Sequence, residues 1–303
     1  MDTNILLENG TNELEVLEFK IGDNYYGINV AKVREIIPYQ NITPLPNVHK
    51  SIEGVFIPRD KMLTVIDLAN QLNIPVEKNP ATDMLILSSF NKLDVAFHVS
   101  KIISIHRLSW KSILIPDETI HNSESSIATG IIKMDDHLVI ILDFEKIITD
   151  ICPETGLKLS DIDKLGVRDR NDSPILVAED SALLSKLIYD SLVKAGYTNV
   201  TLCNNGSVAW DKLCSYKEMG DPCKMVRCII TDIEMPMMDG HRLTKLCKSD
   251  DALKVIPLII FSSLINNEMY AKGEALGADA QITKPEIGKL VELIDKLIEG
   301  KSK

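Results

Sequence analysis

The chain has 303 residues, 45% apolar and 25% charged, a length that suits two ordinary domains and a balance that leaves no case for bulk disorder. Its net charge of -11 divides into 14 Lys and Arg against 22 Asp and Glu through residue 160 and 19 against 22 beyond it, so neither half offers the basic face that nucleic-acid binding needs. No apolar run is long enough to span a bilayer and Met1-Asp2-Thr3-Asn4 does not begin a signal peptide, so a cytoplasmic protein is expected, with no direct membrane insertion and its six cysteines reduced.

From Leu17 to about Phe144 the apolar period is near two. Leu17, Phe19 and Ile21 alternate with Glu18 and Lys20, then Tyr26, Ile28 and Val30 continue after a turn at Gly22-Asp23-Asn24. A short helix is expected over Val30–Ile37, where Val33, Ile36 and Ile37 share a face and Pro38 stops it. Further strands are expected at Met62–Ile66, Met84–Leu87, Leu93–Val99, Ile113–Ile115 and Leu138–Leu142, which together read as a mostly β domain built from short strands. The five histidines of this half are scattered and no H-E-x-x-H occurs, so neither catalysis nor a metal centre is expected there. Between Thr149 and Ser173 apolar density falls and Pro153, Gly156 and Gly166 appear among charges, the composition of a connector that leaves room for a few turns of helix.

After Pro174 the rhythm changes. Strands are expected at Ile175–Ala178, Asn199–Cys203, Arg227–Thr231, Pro257–Phe261 and Asp279–Ile282, separated by helix-length segments at Ser181–Ala195, Gly206–Lys217, Met238–Ser249 and Asn266–Leu276, with Glu286–Glu299 closing the pattern. Strict alternation of this kind implies an α/β doubly wound, five-stranded parallel sheet with right-handed crossovers.

In such a sheet the loops after the strand C-termini line one crevice. Glu179 and Asp180 follow the first strand, Asp232 ends the third, Ser262 follows the fourth, and Lys284 with Pro285 follows the fifth. Three carboxylates held together repel one another unless a cation sits among them, and Mg²⁺ suits an all-oxygen site that keeps water for a phosphate to displace. Asp232 is then the nucleophile toward a phosphohistidine donor, with Lys284 and the hydroxyl of Ser262 meeting the phosphoryl oxygens.

These residues resemble the response-regulator receiver, a flavodoxin-like fold, over about residues 173–300: an acidic pair Glu179-Asp180, Asp232 in Thr-Asp-Ile-Glu-Met-Pro-Met-Met-Asp-Gly, Ser262 in Ile-Ile-Phe-Ser-Ser, and Lys284-Pro285. The resemblance implies that Asp180, Asp232 and the backbone carbonyl of Glu234 ligate the metal, that Glu179 acts mainly through water, and that Lys284-Pro285 is a cis peptide. It also places Glu234 and Leu264 where receivers tune hydrolysis. One position departs: three residues before Lys284, where receivers often carry a rotating Tyr or Phe, stands Gln281.

The first half resembles the CheW family of coupling proteins over about residues 13–150. The resemblance is carried by Leu17-Glu18-Phe19-Lys20-Ile21-Gly22, Tyr26-Gly27-Ile28-Asn29-Val30, Val33-Arg34-Glu35-Ile36, Ile42-Thr43-Pro44-Leu45-Pro46-Asn47, Ile52-Glu53-Gly54-Val55, Leu63-Thr64-Val65-Ile66-Asp67-Leu68 and Leu138-Val139-Ile140-Ile141-Leu142-Asp143. It implies a double β-barrel whose job is to join methyl-accepting chemoreceptors to a histidine kinase. The usual Leu-Arg-Gly turn is Pro58-Arg59-Asp60, and Arg59 is the candidate receptor contact.

A CheW-like half followed by a receiver resembles the CheV family. The expected division is a coupling domain over 1–155, a linker over 156–172 and a receiver over 173–303. The implied function is chemotaxis coupling modulated by phosphorylation at Asp232, in a protein that reaches membrane receptor arrays through protein contacts and turns over no external substrate. The rival keeps the same chemistry but makes the receiver a phosphate sink that drains the kinase. A DNA-binding regulator would need a basic helix-turn-helix, and no segment supplies one.

Overall fold

The computed structural model describes residues 13–59, 61–90, 93–114, 127–153, 156–157, 160–263 and 267–300. The chain divides into two compact units, Glu13–Thr155 and Gly156–Lys303.

The first unit holds two sheets. The six-stranded sheet has the order β8-β1-β2-β11-β10-β9, formed by β1 (Glu13–Ile21), β2 (Asn24–Asn29), β8 (Lys101–Ser109), β9 (Ile113–Leu114), β10 (Ala128–Lys133) and β11 (Leu138–Leu142). The five-stranded sheet, order β3-β6-β7-β5-β4, comprises β3 (Val33–Pro38), β4 (Ile52–Phe56), β5 (Leu63–Asp67), β6 (Met84–Phe90) and β7 (Leu93–Val99). Period-2 alternation explains how β1 serves two cores at once. Leu14 and Val16 join Ile113, Ile132, Val139 and Ile141 inside the first sheet, while Leu17, Phe19 and Ile21 turn the other way into a larger cluster with Ile28, Ile86, Phe90 and Phe97 from both sheets. A third cluster, including Phe56, Leu63, Val65 and Leu85, fills the second sheet. Helix α1 (Leu68–Gln71) follows β5, and α2 (Phe144–Ile151) follows β11, opened by the Asp143 carboxylate accepting from the Lys146 amide at 2.9 Å.

The expected helix over Val30–Ile37 is instead a 3₁₀ turn at Val30–Lys32 followed by strand β3. The run of β-branched residues favours the pleat, and β3 finds a full antiparallel partner in β6, pairing Ile36 with Ile86 and Ile37 with Leu85.

Beside the second sheet's core lies a buried ionic network. The ring of His98, 6% exposed, sits between Glu53 (Nδ1 to Oε2, 2.8 Å) and Asp83 (Nε2 to Oδ2, 3.1 Å), with the Tyr39 ring tilted against it and Lys78 bridging Glu53 and Asp67. Burial opposes charge on His98, but the bonds and charges of Glu53 and Asp83 outweigh it and raise its pKa above the ordinary 6.5. Burial likewise opposes ionisation of Glu53, but bonds from His98 and Tyr39 and the charges of His98 and Lys78 bring it down to about 2. The His98 contribution is therefore fully present below 6.5 and fades as pH rises through its raised folded value. The Glu53 contribution is present above 4.5 and fades as pH falls toward 2. Denaturant melts between pH 6 and 9 are expected to show this unit weakening with rising pH, and a His98→Gln chain to show a shallower slope, the remainder coming from His137, whose pKa is raised by Asp136 and Glu18; an unchanged slope would refute the assignment.

The second unit has an all-parallel sheet, order β13-β12-β14-β15-β16, from β12 (Ile175–Ala178), β13 (Val200–Cys203), β14 (Cys228–Thr231), β15 (Leu258–Ser262) and β16 (Ala280–Thr283). Its helices are α3 (Ser160–Asp163), α4 (Ala182–Lys194), α5 (Gly206–Glu218), α6 (Pro222–Met225), α7 (Gly240–Ser249), α8 (Asn267–Ala275) and α9 (Ile287–Gly300). The central strands are buried on both faces, as covered parallel sheets require: Ile175, Val177 and Ile230 pack in one cluster, Leu176, Ala178 and Ile229 in the other. Within the segment read as a connector, Ile162 is 2% exposed and packs into the first of these clusters with Leu157 and Leu165 alongside. Arg168 then donates to the Ala195 carbonyl at 2.8 Å and to both Asp295 oxygens at 2.6 and 2.7 Å. These residues fold with the second unit.

Candidate functional site

The sheet order puts β12 and β14 side by side at the centre, with β15 and then β16 beyond them. Parallel register carries their C-terminal ends to one edge: Ala178 lies beside Thr231, Thr231 beside Ile260, and Ser262 beside Thr283. Glu179, Asp232 and Lys284 each occupy the first position past their strand, and Ser262 the last position within its own. Lys284 is 2% exposed and donates to Glu179 Oε2 at 2.8 Å and to Asp232 Oδ2 at 2.9 Å. Asp232 is itself 5% exposed, and its Oδ1 accepts from the Ile233 amide at 2.6 Å. The Lys284 amide donates to the Ser262 carbonyl at 3.1 Å, which ties the ends of β15 and β16 together, and the Lys284–Pro285 peptide is cis.

Carboxylate oxygens of Glu179, Asp180 and Asp232 all lie within 4.8 Å of one another. Three negative charges against the one ammonium of Lys284 leave an excess of two, and a cluster of oxygen donors so placed fits a hard divalent ion such as Mg²⁺. Glu234, half-buried, stands two residues past Asp232 in the turn that leads to α7. The Asp239 carboxylate caps that helix, accepting from the Arg242 amide at 2.7 Å. Gly240, the first residue of α7, donates its amide to the Ile233 carbonyl at 2.9 Å, and a methyl group built on it would overlap the carbonyl oxygen of Asp232.

The sequence matches the CheW-like domain over residues 15–152 and the response regulator receiver domain over residues 175–295. It is similar along its length to chemotaxis protein CheV3 of Helicobacter pylori, 31% identical with 95% of each chain covered. The chain belongs to the CheV family. Chemotaxis protein CheV2 of the same bacterium is 27% identical, again over 95% of each chain, and chemotaxis protein CheW of Thermotoga maritima is 25% identical over 50% of this chain and 98% of its own.

In this CheV-family chain Arg59 belongs to the first unit. Its side chain is 81% exposed, it donates to Glu35 Oε1 at 2.8 Å, and its backbone has a φ of 49°. Asp60 and Leu264 lie outside the described residues. Among the described residues no helix is long and apolar enough to cross a membrane. The side chains expected at the receiver edge are brought together there, whereas the backbone role of Gly240 is one that the sequence hints at only through its place in Met-Asp-Gly. The buried ties of His98, and of Glu18 to His106 and His137, had no sequence signal, because each joins residues from strands and turns far apart in the chain.

Proposed function

We propose that this chain is a chemotaxis coupling protein whose CheW-like unit joins methyl-accepting chemoreceptors to a histidine kinase, and whose receiver unit modulates that coupling when the kinase's phosphohistidine phosphorylates Asp232. The observation that supports this most is Lys284, buried and bonded at once to Glu179 and Asp232 in a receiver fused to a CheW-like domain. An ammonium so placed is held in position by the two carboxylates and is ready to meet phosphoryl charge arriving at the same edge.

In this reading Asp232 Oδ2 attacks the phosphorus of the phosphohistidine. The P–N bond breaks, the imidazole leaves with the electron pair, and an acyl phosphate forms on Asp232. The Ile233 amide holds Oδ1 and so fixes the carboxylate plane during attack. Lys284 passes from the carboxylate to the phosphoryl oxygens, and Ser262 donates its hydroxyl to one of them. Glu179, Asp180, Asp232 and the carbonyl of Glu234 would hold Mg²⁺, which when bound supplies positive charge against the phosphoryl oxygens. Formation and hydrolysis of the acyl phosphate are self-modification, with no external product.

Residues 1–155 form the coupling part and 173–303 the receiver in this proposal, with 156–172 joining them. Arg59, exposed on a turn, is assigned to receptor contact. The chain would reach the membrane through its protein partners alone. Arrays reconstituted from receptors, kinase and either this chain or Asp232→Ala provide the test. Receptor control of the kinase is expected to differ between the two once phosphoryl flow begins. Identical control, with faster loss of kinase phosphate in the unsubstituted chain, would favour a phosphate sink and defeat the proposal.

A further inference from the structure

Helix α8 is weakly attached to its sheet. Among its residues 269–275 only Gly273 is buried; Met269 packs half-buried against the core, Lys272 is half-buried and Tyr270 is 48% exposed. A helix that buries so little apolar surface over these residues needs another source of position. A polar tie provides it: the Gln281 side chain on β16 donates from Nε2 to the Tyr270 carbonyl at 2.7 Å.

Gly273 explains how Gln281 reaches that carbonyl. Its φ is not positive, so its backbone conformation is open to any residue, and glycine is a poor helix former. What the position cannot hold is a side chain: a Cβ there would stand 2.7 Å from Gln281 Cδ and 2.9 Å from Nε2, overlapping Oε1. The missing methyl is the socket for the glutamine amide. With Nε2 fixed on the carbonyl, Oε1 is turned inward and has no hydrogen-bond partner among the described residues, a cost tolerated for the sake of the tie. Gln281 is paired with Ile260, and two residues on Thr283 is paired with Ser262, so the amide stands on the strand segment that ends at the receiver edge.

We propose that Gln281 is a positioning residue: its amide, seated in the socket left by Gly273, latches α8 to β16 in the unphosphorylated chain and is released when Asp232 is phosphorylated. The release step rests on the function proposed above; the latch itself does not. This gives a route from the site to a helix without an aromatic ring at position 281.

Hydrogen exchange of the full chain tests both parts. Gln281→Ala is expected to speed exchange of the α8 amides at least tenfold while β12 and β14 stay unchanged. Gly273→Ala is expected to do the same, although alanine is the better helix former, and the double variant Gly273→Ala/Gln281→Ala to exchange no faster than Gln281→Ala alone, since a single latch is lost in all three. If Gly273→Ala alone slows exchange, or Gln281→Ala leaves α8 as it was, there is no latch. Phosphoramidate with Mg²⁺ is then added to the unsubstituted chain and incorporation read by mass. A phosphorylated chain is expected to exchange at α8 as fast as unphosphorylated Gln281→Ala; unchanged α8 exchange in a chain of proven phosphoryl content overturns the release step. A chain that takes up no phosphoryl group refutes the function proposed for Asp232 and, with it, release, while the latch stands or falls on the variants.

Discussion

A chain carrying Asp232→Asn is expected to take up no phosphoryl group above background from a cognate kinase with Mg²⁺. The substitution is nearly isosteric, and an asparagine oxygen can still accept from the Ile233 amide as Asp232 Oδ1 does. It removes the anionic nucleophile, and no neighbouring hydroxyl replaces it at the same place. Lys284 keeps Glu179 at 2.8 Å, so the edge retains a buried ion pair and the unit is expected to fold. Loss of incorporation with an unchanged thermal transition therefore reports chemistry and not collapse. Incorporation that persists at an undiminished rate would place the acceptor elsewhere and sink the assignment.

The largest effect on stability is expected at Phe144. This first residue of α2 is fully buried, and its ring meets Phe97 edge-on at 4.7 Å, stacks over Phe90 at 6.3 Å and meets Phe19 at 6.4 Å. Phe19 belongs to the six-stranded sheet, Phe90 and Phe97 to the five-stranded one, so one side chain fills the space that both share. Phe144→Ala is expected to cost about 3–5 kcal/mol from lost burial plus the cavity left behind. In calorimetry the transition of the CheW-like unit would fall by roughly 10–20 °C while that of the receiver unit stays in place. A shift of only a few degrees would mean that the sheets close over the gap, and that the aromatic cluster is not what joins them.

The receiver could be read closely from the sequence because its two signals reinforce each other. Strand and helix alternate with little irregularity, and the side chains proposed for the site stand at strand ends, so identifying the strands also gathers the site. The coupling unit was harder. Val33, Ile36 and Ile37 fit a helical face as well as a strand, and pairing with β6 decides between them, which no local pattern reveals. Strand β8 is an edge strand whose inner face, Ile102, Ser104, His106 and Leu108, is only half-buried and mixes polar with apolar side chains, so its sequence lacks the apolar alternation that marks β1. Ile162 is one apolar residue among charges, and only the packing of its cluster shows that the connector is partly core. The partners of His98 come from three separate segments, and their meeting is a property of the sheets.

Gly240 gives the receiver edge a vulnerability of its own. It brings no charge, donor or nucleophile to the cluster, yet the backbone of Asp232 occupies the space where its side chain would be. A descendant of this chain could keep Glu179, Asp180, Asp232, Ser262 and Lys284 intact, gain one methyl group at position 240, and have the Asp232 carboxylate pushed out of line. A census of functional side chains would pass such a descendant as competent. Under drift, the silencing of this receiver can therefore begin at a residue with no chemistry.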